Sequence, residues 1–241
     1  MKSVLVIQHM EAEYLGLIED HLESRNIGFR YVRPFANQGW VPPRAEAEDA
    51  LFLLGAGPWG VLSAPLLASL EQELKLTRYF LEGGRPVIGF GQGAQILALA
   101  AGGGVEAREL HFRVTRARRA ADAALGGFLP ETFPQIIYMR DQPVPPTDAE
   151  VLAEDEEGNP ALFQIAGNCL GFLGHPGIKS AMIEDCVMEF EDSPDNVAAG
   201  LAALRAVQHD VAAALSQIMI GLVRITGLMG AAASAPPEAP G

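Results

Sequence analysis

Between the apolar run Val87-Ile88 and an apolar stretch ending at Gly102 lies Gly89-Phe90-Gly91-Gln92-Gly93-Ala94-Gln95. A strand that turns sharply into a helix lifts its apex residue into a strained turn, where the helix N-terminus can stabilise an anion. In an acyl-transfer enzyme such an apex carries the nucleophile, but here it is Gly91, which has no side chain. The small residues on either side are what a crowded turn of this kind requires. Gln92, Gln95, Tyr138, Asp141, His175 and the loop Gly57 to Gly60 are the polar groups that would converge on this turn. With backbone donors at a helix start, they can hold a small carboxylate or an amide. The competing reading is a relic cleft in which His175 is only hydrogen-bonded in a turn, and the sequence leaves both open.

The elements that must position these residues follow from hydrophobic periodicity. Ser3 to Gln8 reads as a first strand, and Tyr14 to Arg25, with Leu15, Ile18 and Leu22 on one face, as its crossover helix. Phe29 to Val32 and Ala50 to Leu54 are further strands, the latter stopping at the turn G-A-G-P-W-G. Pro65 to Glu82 predicts a long helix with Leu66, Leu70, Leu74 and Leu81 on one stripe, ended by Gly83-Gly84. Later strands are expected at Gln135 to Met139, Glu150 to Leu152, Ala161 to Ile165 and Leu170 to Gly174, as antiparallel additions at one edge of the sheet. The alternation of strand and helix predicts an α/β fold: a mostly parallel, doubly wound, flavodoxin-like sheet with helices on both faces.

Ser193-Pro194-Asp195 is a helix start signal, with Ser193 as N-cap and Pro194 at the first helical position. Val197, Leu201, Leu204, Val211, Leu215, Ile218, Leu222, Ile225 and Met229 then follow a three-four spacing, interrupted where Gln208 takes a turn. A continuous helix of that length would reach about 50 Å at ~1.5 Å per residue. Gly200, Gly221 and Gly227 weaken the case for a rigid rod. One reading packs this helix along its own domain; the favoured one offers residues 193–229 to a partner protein or a second copy, because the seam is apolar enough to need a cover. The domain expectation is therefore 1–192 as the α/β domain, 193–229 as a helical extension and the low-complexity 230–241 as a disordered tail.

The segment L-E-Q-E-L-K-L-T-R-Y-F-L-E-G-G-R-P-V-I-G-F-G-Q-G-A-Q-I-L-A-L-A-A-G-G-G-V, from Leu70 to Val105, resembles class I glutamine amidotransferase domains, whose elbow reads G-x-C-x-G-x-Q. L-F-L-L-G-A-G-P-W-G-V resembles that family's G-G-P loop, which supplies oxyanion-hole backbone, and G-F-L-G-H-P-G resembles its Q-F-H-P-E strand end. Tyr138-Met139-Arg140-Asp141 resembles the W-H-x-D segment, with methionine in place of histidine. The resemblance covers roughly residues 1 to 190 and is nearer to the free-standing members than to the fused biosynthetic ones. It implies that the family's cysteine falls on Gly91, its elbow leucine on Gln92, its elbow histidine on Ala94 and its triad glutamate on Gly177, while Gln95 and His175 are kept.

Glutamine hydrolysis needs a thiolate to attack the amide, an imidazole to activate it and a carboxylate to orient the imidazole. Glycine supplies neither the first nor the third. Cys169 and Cys186 are not convincing replacements, since Cys169 is placed about 20 Å from His175 at ~3.3 Å per residue along one strand and Cys186 lies in another segment. Two separate losses also look like natural divergence rather than one engineered change. The resemblance and its departures together imply a non-catalytic subunit or regulator acting through a protein partner. The alternative is an enzyme of changed chemistry, a hydrolase or transferase in which His175 works with Asp141 or a neighbouring acid.

A formal net charge of −13 repels polyanions, so nucleic acid is not the expected partner. Arg113, Arg116, Arg118 and Arg119 form a local exception, read as a solvated basic loop in preference to a site for an acidic surface or a phosphorylated ligand. The two cysteines are too few for a disulfide framework and lack metal-ligand spacing, so buried reduced thiols, no metal and no cofactor are expected. The apolar run Val4 to Ile7 is far too short for a signal-peptide core or a membrane span, which leads to a cytoplasmic expectation with no membrane partner.

Overall fold

The computed structural model describes residues 1–229, so the expected disordered stretch 230–241 lies outside the described residues. In chain order the elements are β1 (Ser3–Ile7), α1 (Ile18–Glu23), β2 (Gly28–Val32), β3 (Ala50–Leu53), α2 (Leu70–Glu82), β4 (Val87–Phe90), α3 (Gln92–Ala100) and β5 (Gly104–Glu106). They continue with β6 (His111–Arg119), the short α4 (Ala124–Gly127), β7 (Thr132–Met139), β8 (Gln142–Val144), β9 (Glu150–Glu154), β10 (Pro160–Ile165), β11 (Cys169–Phe172), α5 (Ser180–Glu189) and α6 (Val197–Ile225). The main sheet has nine strands in the order β2-β1-β3-β4-β11-β10-β9-β6-β7. β2, β1, β3, β4 and β11 are mutually parallel, and β10, β9, β6 and β7 extend the sheet antiparallel from β11. The fold is thus the expected α/β sheet with antiparallel additions.

The period of two along β1 divides the core. Val4 and Val6 join Ile18, Leu22, Phe52, Phe90 and Phe172 on one face, while Leu5 and Ile7 join Leu53, Leu76, Phe80 and Leu97 on the other. Strands buried on both faces need near-continuous apolar sequence, which is what S-V-L-V-I, A-L-F-L and V-I-G-F supply. α2 and α3 lie over one face, and α1 and α6 over the other.

Several local expectations need correction. α1 begins at Ile18 instead of Tyr14, because the Leu17 N–H donates to the Gly177 carbonyl (2.8 Å) and Gly16 sits at φ 62°. α2 begins at Leu70 instead of Pro65, because residues 60–67 are spent on a backbone loop in which Gly60 N–H bonds the Pro65 carbonyl and Leu67 N–H bonds the Gly60 carbonyl. Its buried face is Glu73, Leu76, Thr77 and Phe80, not the leucine stripe; Leu66 is exposed and Leu70, Leu74 and Leu81 are half-buried. The arginine cluster lies on strand β6, not in a loop, and Arg113, Arg116 and Arg119 pair with Glu157, Asp210 and Asp122. α6 starts at Val197 behind Asn196; Ser193 makes no cap, and its hydroxyl donates to the Phe190 carbonyl instead.

The apolar seam of α6 is filled by its own chain. Leu204, Val211, Leu215, Ile218 and Leu222 are buried, and the helix lies against β6, β7, α1, α4 and α5. By length and composition α6 could cross a membrane, yet this same apolar face is part of the core. Gly200 and Gly221 are points of close approach: a Cβ at Gly200 would overlap the Phe112 ring, and one at Gly221 would lie 2.6 Å from the Leu125 carbonyl oxygen. Leu215→Ala should therefore cost about 2–5 kcal/mol in urea unfolding, while Ala213→Ser on the outward face should stay within about 0.5 kcal/mol of the parent.

Candidate functional site

β4 ends at Phe90 and α3 begins at Gln92, so Gly91 alone makes the turn between strand and helix. It does so at φ 54°, ψ −115°, a conformation that strains any residue with a Cβ. Its N–H donates to the Phe172 carbonyl (2.9 Å), and its carbonyl accepts the Ala94 N–H (3.0 Å). Among the described residues a Cβ at this apex would make one ordinary van der Waals contact, with Gly55 Cα 3.8 Å away, so the apex has room for a side chain. Two residues on, a Cβ at Gly93 would overlap the Leu53 carbonyl oxygen, so α3 leaves the turn pressed against β3.

Gln92 and Gln95 occupy the first turn of α3 and are both buried. The Gln95 amide donates from Nε2 to the Arg140 carbonyl (2.7 Å), which ties α3 to the end of β7. Among the described residues, neither polar atom of the Gln92 side chain has a hydrogen-bond partner, nor does Gln95 Oε1. An unmet buried amide costs roughly 1–3 kcal/mol, so Gln92 is the side chain of this turn with most to gain from a ligand.

Asp141 has a different occupation. Its Oδ2 accepts the N–H groups of Val61 (3.1 Å), Leu62 (2.9 Å) and Ser63 (3.0 Å), while Oδ1 accepts the Ser63 hydroxyl (2.5 Å) and the Arg108 N–H (3.3 Å). Burial pushes its carboxyl upward, but the Ser63 hydroxyl and the backbone donors outweigh this and hold it below the usual carboxylate range. Asp141 is thus the clamp on the loop that begins at Gly57. Tyr138 borders the same loop, with its ring edge 3.8 Å from where a Cβ on Gly57 would be, and burial pushes its hydroxyl above the usual phenol range.

His175 lies just beyond β11 and stacks on Phe90 at 5.3 Å between ring centroids. Its Nδ1 accepts the Gly177 N–H (3.1 Å), so Nε2 carries the proton and donates to the Tyr14 carbonyl (3.0 Å). Both nitrogens are taken by backbone, and no carboxylate orients the ring among the described residues. Burial lowers its pKa from 6.5 to about 4, which fixes the imidazole as neutral. At Gly177 a Cβ would meet Ile18 Cγ1 at 2.8 Å and Ile18 N at 3.1 Å, leaving no room for a longer side chain.

A second polar cluster escapes the sequence reading. His9 lies just past β1 with its ring wholly buried, its Nδ1 2.8 Å from the Gly55 carbonyl and its Nε2 2.7 Å from Glu73 Oε2. The Ser69 hydroxyl donates to Glu73 Oε1 (2.5 Å). Burial pulls the His9 imidazole down, but the Glu73 carboxylate outweighs it and holds the pKa above the ordinary value. Beside it the buried Glu13 accepts the Gly57 N–H (3.1 Å), and burial pushes its carboxyl up to about 7. Glu13 therefore occupies a backbone donor of the very loop that the family resemblance identifies with an oxyanion hole. The signal available in the sequence is the spacing Glu73, Leu76, Thr77, Phe80, a helical stripe whose polar members are buried too.

Both cysteines are buried and unpaired, and burial raises both thiols. Among the described residues, no group of three or more His, Cys, Asp or Glu side chains is arranged to hold a metal ion.

Neither a protein-family model nor a curated protein sequence matches the chain. Solved structures do. A glutamine amidotransferase from Thermotoga maritima superposes with a TM-score of 0.78 at 20% identity, covering 93% of this chain and 98% of its own. The fold is that of a class I glutamine amidotransferase. A glutamine amido transferase from Methylobacillus flagellatus gives a TM-score of 0.74 at 19% identity, covering 93% of this chain and 95% of its own. In this amidotransferase-like fold the strand-turn-helix at Gly91 and the loop at Gly57 lie at the carboxyl ends of β4 and β3, the edge where open α/β sheets bind ligands.

Two measurements check the site geometry. Because the folded pKa of His175 lies below its unfolded value, the unfolded chain binds the extra proton first; the stability this residue supports is complete above pH 6.5 and is lost as pH falls toward 4. Its imidazole resonances should remain those of the Nε2–H tautomer down to about pH 4, and His175→Gln should remove its contribution to the pH slope of stability. Asp141→Ala should cost about 2–5 kcal/mol and raise amide hydrogen exchange selectively at residues 61–63.

Proposed function

We propose that this protein is a glutamine amidotransferase-like subunit without glutaminase chemistry, which holds a small carboxylate or amide in its old cleft and acts through a protein partner. The observation that carries this reading is the pairing of a glycine apex with a histidine whose two ring nitrogens are both bound to backbone. An amide-hydrolysing triad needs a nucleophile, a base free to take its proton and a group that orients the base. Gly91 offers no atom for the first role, His175 is neutral but has no free nitrogen for the second, and the position of Gly177 is sterically closed to a glutamate. The same bonds argue against a changed chemistry run by His175 with Asp141, whose oxygens are committed to residues 61–63 and Arg108.

Ligand retention is supported by the unpaired Gln92 amide at the start of α3, beside the loop from Gly57. For the partner, or a second copy of the chain, we propose the outward face of α6. There Ala198, Ala199, Ala202, Ala203 and Ala206 are exposed, and their small side chains would let another backbone approach closely. The proposed location is the cytoplasm, with no nucleic acid or membrane as partner.

Ammonia release from glutamine tests the chemistry. The unmodified protein should stay at background, and Gly91→Cys alone should stay within about tenfold of it, because a thiol at the apex would still lack a free base. Clear turnover by the unmodified protein would overturn the proposal. Light scattering and recovery of bound proteins from the native cell, comparing the parent with Ala202→Arg plus Ala206→Arg, test the association. The double variant should lose the partner while melting within a few degrees of the parent.

A further inference from the structure

A cavity of about 360 Å3 opens beside the loop after β3, with Met10, Phe35, Trp59, Leu67, Glu189 and Phe190 on its lining and His9 and Ser69 at its floor. None of Gly91, Gln92 and His175 lines it; it adjoins the cleft at the strand-helix turn only through Trp59 of the Gly57 to Gly60 loop. Its walls are aromatic. Trp59 and Phe190 meet edge to face with centroids 6.4 Å apart, and Phe35 stands on the 3-10 turn Pro34–Ala36 with about two fifths of its surface exposed. The volume falls at the lower end of small-molecule sites.

Apart from the His9–Glu73 pair, the charges around the cavity are acidic. Glu189 is on its lining, and burial together with Glu11 and Asp185 raises the Glu189 carboxyl above its ordinary range; Glu13 in turn feels Glu189. Among the described residues none of Glu11, Glu13, Asp185 and Glu189 forms an ion pair, and no lysine or arginine lines the cavity. The one cationic candidate at its floor, His9, is already paired with Glu73, whose other oxygen is taken by Ser69. The polar groups of the floor are thus spent on one another. What remains for an occupant is aromatic faces and an unpaired carboxylate.

We infer that this cavity is a binding site for a small organic ammonium ion, a cation with an apolar body. Aromatic faces attract a cation through their quadrupoles, and the attraction strengthens where water is partly excluded. Glu189 supplies the counter-charge, and Met10 and Leu67 supply apolar contact for the body. A carboxylate ligand would meet Glu189 on the lining with no lysine or arginine there to receive it, and is rejected. The inference does not depend on the loss of glutaminase chemistry.

The test titrates the full-length protein with benzyltrimethylammonium chloride, following the Trp59 indole resonance by NMR and the heat by calorimetry, with phenylacetate and benzyl alcohol as charge-reversed and neutral probes. Saturable binding of the ammonium probe that shifts Trp59, with phenylacetate silent and benzyl alcohol at least about fivefold weaker, is the expected result. Glu189→Gln and Phe35→Leu, both at exposed positions that the fold tolerates, should each weaken binding roughly 3- to 10-fold. Absence of saturation at about 10 mM, equal binding of benzyl alcohol, or binding indifferent to both substitutions would overturn the inference.

Discussion

At Gly93 the backbone of α3 lies so close to the Leu53 carbonyl that no side chain fits between them. This contact fixes the height at which the helix leaves the sheet, and with it the one-residue turn at Gly91, which is made at a φ of 54°. Gln92 then points inward because the first turn of α3 has no outward face, and Gln95 is carried to the Arg140 carbonyl at the end of β7. The clamp by Asp141 secures the other side, because residues 61–63 hang from one carboxylate. Close packing at one glycine thus organises a polar cleft that no single side chain defines.

The same edge of the sheet collects an unusual density of buried charge. His9 with Glu73, Glu13 with Gly57 and Asp141 with residues 61–63 each solve the problem of an ionisable group inside the protein, and each uses a different solution. His9 and Glu73 neutralise each other, Glu13 is pushed toward its protonated form, and Asp141 stays ionised because four N–H groups and a hydroxyl face it. These groups hold together the loops at the carboxyl ends of β1 and β3, which wall the aromatic cavity and, through the loop after β3, one side of the cleft.

The architecture is legible in the sequence because parallel strands buried on both faces leave a plain apolar signature, and because the turn at Gly91 carries its glycine signal in seven consecutive residues. The helix starts are less legible. Leu17 and Gly60 bond to distant or looped backbone, and nothing in local propensity announces those partners. The buried face of α2 is hidden for a related reason: Glu73 and Thr77 look like solvent-facing residues until His9, 64 positions earlier, and Ser69 are seen to satisfy the carboxylate. The heptad seam of α6 reads as apolar and in need of a cover, but its spacing cannot reveal that β6 and β7 already supply it. His175 stands out by its motif, while its commitment to the Tyr14 and Gly177 backbone depends on contacts across the whole fold.

The cover supplied by α6 also has a consequence in time. β6 and β7 are completed by residue 139, yet the helix that shields them begins at Val197 and continues to Ile225. During synthesis the antiparallel half therefore stands with one apolar face bare while some sixty further residues are added, and its closure is a contact of long sequence separation that folds late. The parallel half waits as well, because β11 pairs with β4 only after residue 169 and α6 packs on the face that holds Val4, Val6 and Phe52. The nascent chain thus carries an unsheltered sheet whose exposure to aggregation ends only when α6 docks, and the cleft closes only once β11 brings Phe172 to the Gly91 N–H.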